Sequence, residues 1–152
     1  MRRLHHIKVK SEEWRVKSEE IENMESFAFE NLKAYNYARA LVRRVYKLVA
    51  NFPSSERNAL CDQIHRAVIS VPSNIAEGMS RKTKNAKLQF IEYSYGSLME
   101  VLCQLQLAND LKYISDQELA EERIYIEETA KIISGLYSFI NKTNNSDRES
   151  VC

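Results

Sequence analysis

Apolar residues return at steps of three and four through four successive stretches of this chain, and that spacing restricts it to helices whose apolar stripes must pack on one another. The first stretch carries Ala38, Leu41, Val42, Val45, Leu48, Val49 and Phe52. The second carries Leu60, Ile64, Ala67, Val68, Val71 and Ile75, and the third Leu88, Ile91, Tyr95, Leu98, Leu102 and Leu105. The fourth carries Leu119, Ile126, Ala130, Ile133, Tyr137 and Ile140. No segment competes as a strand. With only 3 Gly and 2 Pro in 152 residues, the chain lacks the turn residues of an all-β fold and the glycine-rich loops that cradle phosphates.

The breaks between stretches predict where each helix begins and ends. The first helix is expected from about Asn31 to Phe52, stopped by Pro53. Ser54 and Ser55 offer N-cap oxygens to the second helix, and Glu56 in its first turn complements the helix dipole. Pro72 predicts a kink or local break near Val71, because it removes a backbone donor and crowds the preceding turn. Gly78 stands where a left-handed closing residue is wanted. Thr83 is a cap for a third helix over about Lys84 to Leu111, in which Ser94, Gly96 and Ser97 let a neighbouring backbone come close. Ser115 with Glu118 forms a capping box that opens the fourth helix.

Four helices joined by short loops imply an all-α fold, an antiparallel up-down-up-down four-helix bundle over residues 27–142. A chain of this length forms one domain. Residues 1–26, where Lys/Arg and Glu interleave around Trp14 and Ile21, read as a mobile arm, with a short surface helix over residues 11–22 as the alternative, and Met24 competes with Met1 as the start. Residues 143–152 read as a frayed tail. The last helix carries a second apolar stripe, Tyr125, Ile132, Leu136 and Phe139, which fits either a subunit interface or a broad core face.

The net charge of +1 conceals a segregation. From Lys33 to Lys87 there are eleven Lys and Arg against Glu56, Asp62 and Glu77, whereas from Glu92 to Glu128 nine acidic residues face only Lys112 and Arg123. The molecule should be electrically two-sided. On the first helix Arg39, Arg43 and Lys47 follow at i,i+4 with Arg44 beside them, opposite the apolar stripe, and like charges at that spacing repel. With Arg66, Arg81, Lys82, Lys84 and Lys87 they form a candidate nucleic-acid-binding set acting through backbone phosphates. An acidic protein face, including that of another copy, is the alternative partner, and a merely solvated face is a third reading.

Chemistry is hard to find elsewhere. His5 and His6 lie in the arm and His65 is isolated, so no metal-ligand spacing exists. Cys61, Cys103 and Cys152 show no CxxC pairing and read as reduced thiols. Cys61 stands one turn before His65, but no third group completes a nucleophilic site, and a packed cysteine is the favoured reading. Glu77 and Glu100 are expected to satisfy backbone groups freed by Pro72, or to pair with Ser73, Asn74 or Ser97. No catalytic residue, cofactor or metal is expected. The opening MRRLHHIKVKSEEW lacks the apolar stretch of a signal peptide, and no run approaches the roughly 18 residues of a membrane span, so a cytoplasmic protein is expected.

The run HRAVISVPSNIAEGMSRKTKNAKLQFIEYSYGSLMEV adds a resemblance. Arg66, Ala67, Ser70, Pro72, Ser73, Asn74, Ile75, Ala76, Glu77, Gly78, Arg81, Gly96, Ser97 and Glu100 stand where the family of 23S rRNA intervening sequence proteins has its signature. The preceding LKAYNYARALVRRVYKLVANFPSSERNALCDQI is similar to that family's first helix and Phe-Pro-x-x-Glu-Arg turn, with Tyr35 where the family commonly has Trp. The resemblance spans about residues 27 to 140. It implies a helical bundle that tends to form a homopentamer, with a poorly defined activity, encoded in some bacteria within an rRNA-gene insertion. The related accessory variability proteins of diversity-generating retroelements are similar in fold, basic, and bound to a reverse transcriptase and nucleic acid. The combined expectation is a non-enzymatic homo-oligomer that binds RNA or DNA without strong sequence preference. The alternative is a scaffold that docks an acidic partner such as a reverse transcriptase or a ribosome-associated protein.

Overall fold

The structure, a computed structural model, describes residues 26–143. The expected arm and tail, with Met24 and Cys152, lie outside the described residues apart from Ser26 and Thr143. Four helices run through the rest: α1 Lys33–Val49, α2 Leu60–Ser80, α3 Lys84–Asp110 and α4 Asp116–Lys142. Two 3₁₀ turns, Ala28–Asn31 and Ser54–Glu56, precede α1 and α2. The expected stripes form the core, with Leu41, Val45, Ile64, Val68, Val71, Ile75, Leu98, Leu105 and Ile126 wholly buried.

α1 starts at Lys33 rather than Asn31, because Asn31 closes the 3₁₀ turn and Leu32 is extended. The Asn36 side chain steadies this entry by donating to the carbonyls of Glu30 and Leu32, at 3.1 and 3.2 Å. Neither Ser54 nor Ser55 caps α2, which opens after Ala59 with no side-chain cap from that residue. Glu56 takes the role instead: its carboxylate accepts from the Leu60 amide at 3.3 Å and from the Tyr113 hydroxyl at 2.8 Å. All three residues lie in the 3₁₀ turn, but Glu56 is nearest the helix start and its longer side chain reaches the Leu60 amide four residues on.

α2 runs unbroken through Pro72, so of the expected kink or local break the break does not occur. Proline withholds a donor from the Val68 carbonyl, and side chains attend the carbonyls that follow it. Ser73 Oγ donates to Ile69 O, Asn74 Nδ2 to Ser70 O, and Ser94 Oγ, from α3, to Val71 O, each at 2.8 Å. Ser70 and Ser97 join their hydroxyls at 2.8 Å across the same contact. Glu77 and Glu100 do not serve here: Glu77 pairs with Arg81, and Glu100 accepts from Gln104 at 3.2 Å.

Gly78 is not a left-handed closing residue either, since α2 continues to Ser80 and no glycine among the described residues has positive φ. Its value is space. A Cβ there would stand 2.9 Å from the Cβ of Phe90 and 3.2 Å from the Lys87 carbonyl, where α3 crosses closely. Gly96 is exposed and a Cβ there meets nothing within 4 Å, so Ser94 and Ser97, and not Gly96, are the small residues at the helix contact. The α3 seam accordingly runs through Ser94 and Val101, while Tyr95 is exposed and Leu102 only half-buried.

Thr83 caps α3 by accepting from the Ala86 amide at 3.3 Å, and the Ser115–Glu118 capping box forms as expected. α3 closes in a Schellman motif: Tyr113 N donates to Ala108 O and Lys112 N to Asn109 O, both at 2.9 Å. Lys112 therefore takes φ 63°, an unusual conformation for a side-chain-bearing residue.

Each helix packs on the next, and α1 also packs on α4, closing an antiparallel four-helix bundle. Of the second α4 stripe, Tyr125, Ile132 and Leu136 pack on the core and Phe139 is exposed, so most of it is a broad core face. The α1–α2 and α3–α4 connections meet at one end of the bundle through Tyr113 and Glu56. The α2–α3 turn and the end of α4 meet at the other, where Lys84 Nζ reaches the Asn141 carbonyl. Arg81, Lys82, Lys84 and Lys87 crowd the second end, whereas Asp110, Asp116, Glu118 and Glu121 lie at the first. Charge is thus separated along the bundle axis as well as across it.

Candidate nucleic-acid interface

The outward faces of α1 and α2 carry most of the expected basic set. Arg39, Arg43 and Lys47 are exposed on α1, Arg66 on α2, and Arg81 and Lys82 in the following turn, while Lys84 and Lys87 are half-buried at the start of α3. Three of the nine are held by carboxylates. Arg66 pairs with Asp62 at 3.0 Å, Arg81 with Glu77, and Arg44 with Glu122 at 2.9 Å.

Arg44 differs from its neighbours in kind. Its guanidinium spans both oxygens of the buried Glu122 and lies 4.8 Å from the centre of the Tyr125 ring, which in turn stacks on Tyr37 at 5.6 Å. The bond to Glu122 raises the Arg44 pKa further above its ordinary value, more than burial lowers it. Arg44 is therefore a tie between α1 and α4.

The remaining six, Arg39, Arg43, Lys47, Lys82, Lys84 and Lys87, have no carboxylate within 4.0 Å among the described residues. Lys84 and Lys87 donate to the carbonyls of Asn141 and Met79, in the last turns of α4 and α2, whose negative dipole ends offset part of their charge without pairing it with a carboxylate. They also stand in the first turn of a helix with no acid there, where the backbone dipole is already positive. Formal positive charge is concentrated at that end. Lys47, by contrast, borders a mixed-charge groove with Glu118, Glu121 and Glu122.

Arg39 and Arg43 border an open groove of about 530 Å³ between α1 and α2, whose other walls are Phe29, Tyr35, Val42, Ile69, Pro72, Ser73 and Ala76. Phe29 meets the Tyr35 ring edge-on at 4.9 Å, Phe27 stacks on Phe29 at 6.2 Å, and Arg39 lies 5.6 Å from the Tyr35 ring. Tyr35 stands out in the sequence, whereas Phe27 and Phe29 precede the first periodic stretch and carry no helical spacing. Their alternation with a single residue between them was the available signal.

The Cys61 and His65 side chains are occupied structurally. Cys61 is buried and burial, then the nearby Glu56 charge, push its thiol pKa up, the wrong direction for a nucleophile. His65 stacks on Tyr46 at 4.0 Å instead of engaging Cys61. Among the described residues no group of three His, Cys, Asp or Glu side chains is placed to hold a metal, and no helix is long and apolar enough to cross a membrane.

The comparisons with known proteins agree with this architecture. A crystal structure of a protein of unknown function from the S23 ribosomal protein family of Bacteroides thetaiotaomicron superposes with a TM-score of 0.62 at 17% identity, covering 68% of this chain and 97% of that one. At that identity the likeness concerns the fold. No curated protein matches the sequence. The family model described as 23S rRNA-intervening sequence protein matches residues 30–135, a span that includes the Pro72 carbonyl arrangement, the Gly78 crossing and the Glu56 cap. By that match, the chain belongs to the 23S rRNA-intervening sequence protein family.

Proposed function

We propose that this protein is a non-enzymatic, cytoplasmic module that binds nucleic acid through its phosphates without strong sequence preference. The observation that carries the reading is the set of six cations with no carboxylate partner among the described residues, Arg39, Arg43, Lys47, Lys82, Lys84 and Lys87. Unpaired cations in a row repel one another, and a polyanion relieves that repulsion while releasing its own counterions. Arg44, Arg66 and Arg81 play a smaller part, since each already neutralises a carboxylate. A homo-oligomer, a pentamer by family resemblance, would repeat the cationic face and raise avidity without new contacts.

The test is fluorescence anisotropy of a labelled generic RNA against salt, with light scattering to count subunits. For about six phosphate contacts, log affinity should fall with log salt at a slope between about −4 and −5. Replacing Arg39 and Arg43 by Gln should reduce that slope by between 1 and 2. A slope near zero rejects the reading. A partner retained after nuclease treatment and lost on reversing Arg39 and Arg43 to Glu would instead identify a protein-docking face.

A further inference from the structure

We propose that the α1–α2 groove accepts unpaired bases, so that the protein prefers single-stranded nucleic acid to duplex. The proposal rests on the phosphate-binding reading above and adds its substrate class. Phosphate attraction alone needs only cations, and a duplex offers its phosphates outward while hiding the faces of its bases. The groove supplies something a duplex cannot use. Its floor is apolar, with Ile69 44% exposed in it although the helices around it are well packed. Phe29 and Tyr35 line the groove and meet edge-on, and Phe27, outside the lining but stacked on Phe29, is 70% exposed.

The cations sit where a strand's backbone would need them. Arg39 and Arg43 rise one turn apart along the same wall, with no carboxylate within 4.0 Å among the described residues. Arg39 already lies 5.6 Å from the Tyr35 ring, so the groove presents cation and π-face together. Single strands are held in this way: a cationic track follows the phosphates, and rings stack on bases whose sequence hardly matters because every base has a π-face. A peptide of acidic residues alone would satisfy the two guanidiniums but would bring no aromatic face to the exposed Phe27 ring.

The experiment measures anisotropy of the full chain with a mixed-sequence single-stranded RNA, the single-stranded DNA of the same sequence, and the duplex of each. Both single strands are expected to bind about tenfold or more tightly than their duplexes, since stacking and phosphate contact do not use the ribose 2′-hydroxyl. Phe27→Ala, at a surface position, should weaken single-strand binding about tenfold and leave duplex binding unchanged. Tyr35→Leu should act in the same sense, with circular dichroism confirming an unchanged helical fold. Arg39→Gln with Arg43→Gln should weaken both forms. Equal affinity for strand and duplex, no effect of Phe27→Ala, or displacement of the strand by poly-L-glutamate as readily as by unlabelled strand would overturn the proposal while leaving salt-dependent binding intact. Loss of salt dependence altogether would remove the phosphate-binding reading as well, so the two failures are distinct.

Discussion

Arg44 and Glu122, 78 residues apart, meet in a two-pronged ion pair: Nε and Nη2 of the arginine donate to the two carboxylate oxygens at 3.0 and 2.9 Å. The side chains are 39% and 10% exposed, so the cost of breaking the pair is unequal. Removing the guanidinium strands a buried charge, whereas removing the charge from the acid leaves a half-exposed arginine that water can reach. Arg44→Ala is expected to cost about 2 to 3 kcal/mol, after discounting for solvent at the arginine, and Glu122→Gln about 1 to 2 kcal/mol. Urea unfolding of the two variants checks the order.

Gly78 and Gly96 should respond in opposite directions to the same change. Gly78→Ala places a methyl 2.9 Å from Phe90 Cβ and 3.2 Å from a backbone carbonyl, and the helices must separate. A loss of about 1 to 3 kcal/mol is expected. Gly96→Ala meets nothing within 4 Å on an exposed helical position and should add about 0.5 to 1 kcal/mol. Thermal melts of the pair would decide it.

Lys112 carries backbone strain at φ 63° to complete the Schellman closure of α3. Glycine removes that strain, which for an ordinary residue is about 1 to 2 kcal/mol, while adding freedom to the unfolded chain. Lys112→Gly should therefore stabilise by about 0.5 kcal/mol, and Lys112→Val should destabilise by more than that. Both are readable as shifts in the urea midpoint.

Ser94 is buried and donates to the Val71 carbonyl beside Pro72. Ser94→Ala leaves that carbonyl without its cross-helix donor and should cost about 1 to 2 kcal/mol. Hydrogen exchange at the amides of α2 around Pro72 should accelerate more than at the ends of the helix.

Alkali should unfold the protein earlier than its composition suggests. Burial raises the Cys61 thiol above its ordinary 9.0, the hydrogen bond to Glu56 raises Tyr113 above 10.0, burial raises Tyr125, and the Glu92 charge raises Tyr137. All four hold their protons more tightly when folded. The stability they contribute is complete below their ordinary values and is lost as pH climbs through the raised ones. The melting temperature should fall steadily above about pH 9 and less steeply in Tyr113→Phe, which has no phenol proton to lose.

Local chemistry was legible in the chain, and distant chemistry was not. Thr83 and the Ser115–Glu118 box act within three residues, so their pattern in the chain was enough to place two helix starts. Ser54 and Ser55 look like caps by the same logic, yet Glu56 does the capping, and Tyr113, 57 residues away, shares its carboxylate. Gly78 suggested a helix end because its neighbour across the fold, Phe90, is invisible to a reading along the chain. The basic row on α1 was visible, but periodicity could not reveal that Arg44 would be claimed by Glu122. Phe29, in the groove wall, was hidden because it sits in a short 3₁₀ turn that has no helical repeat to draw attention to it.

The lengthwise separation of charge has a consequence for how this molecule meets anything highly charged. Lysines and arginines at the α2–α3 turn and carboxylates at the α3–α4 turn give the bundle a permanent moment along its long axis. A polyanion's field exerts a torque on that moment before any contact is made. Arrivals should therefore be biased toward one orientation, turn-first with Lys82 leading, and added electrolyte should slow association before it speeds release.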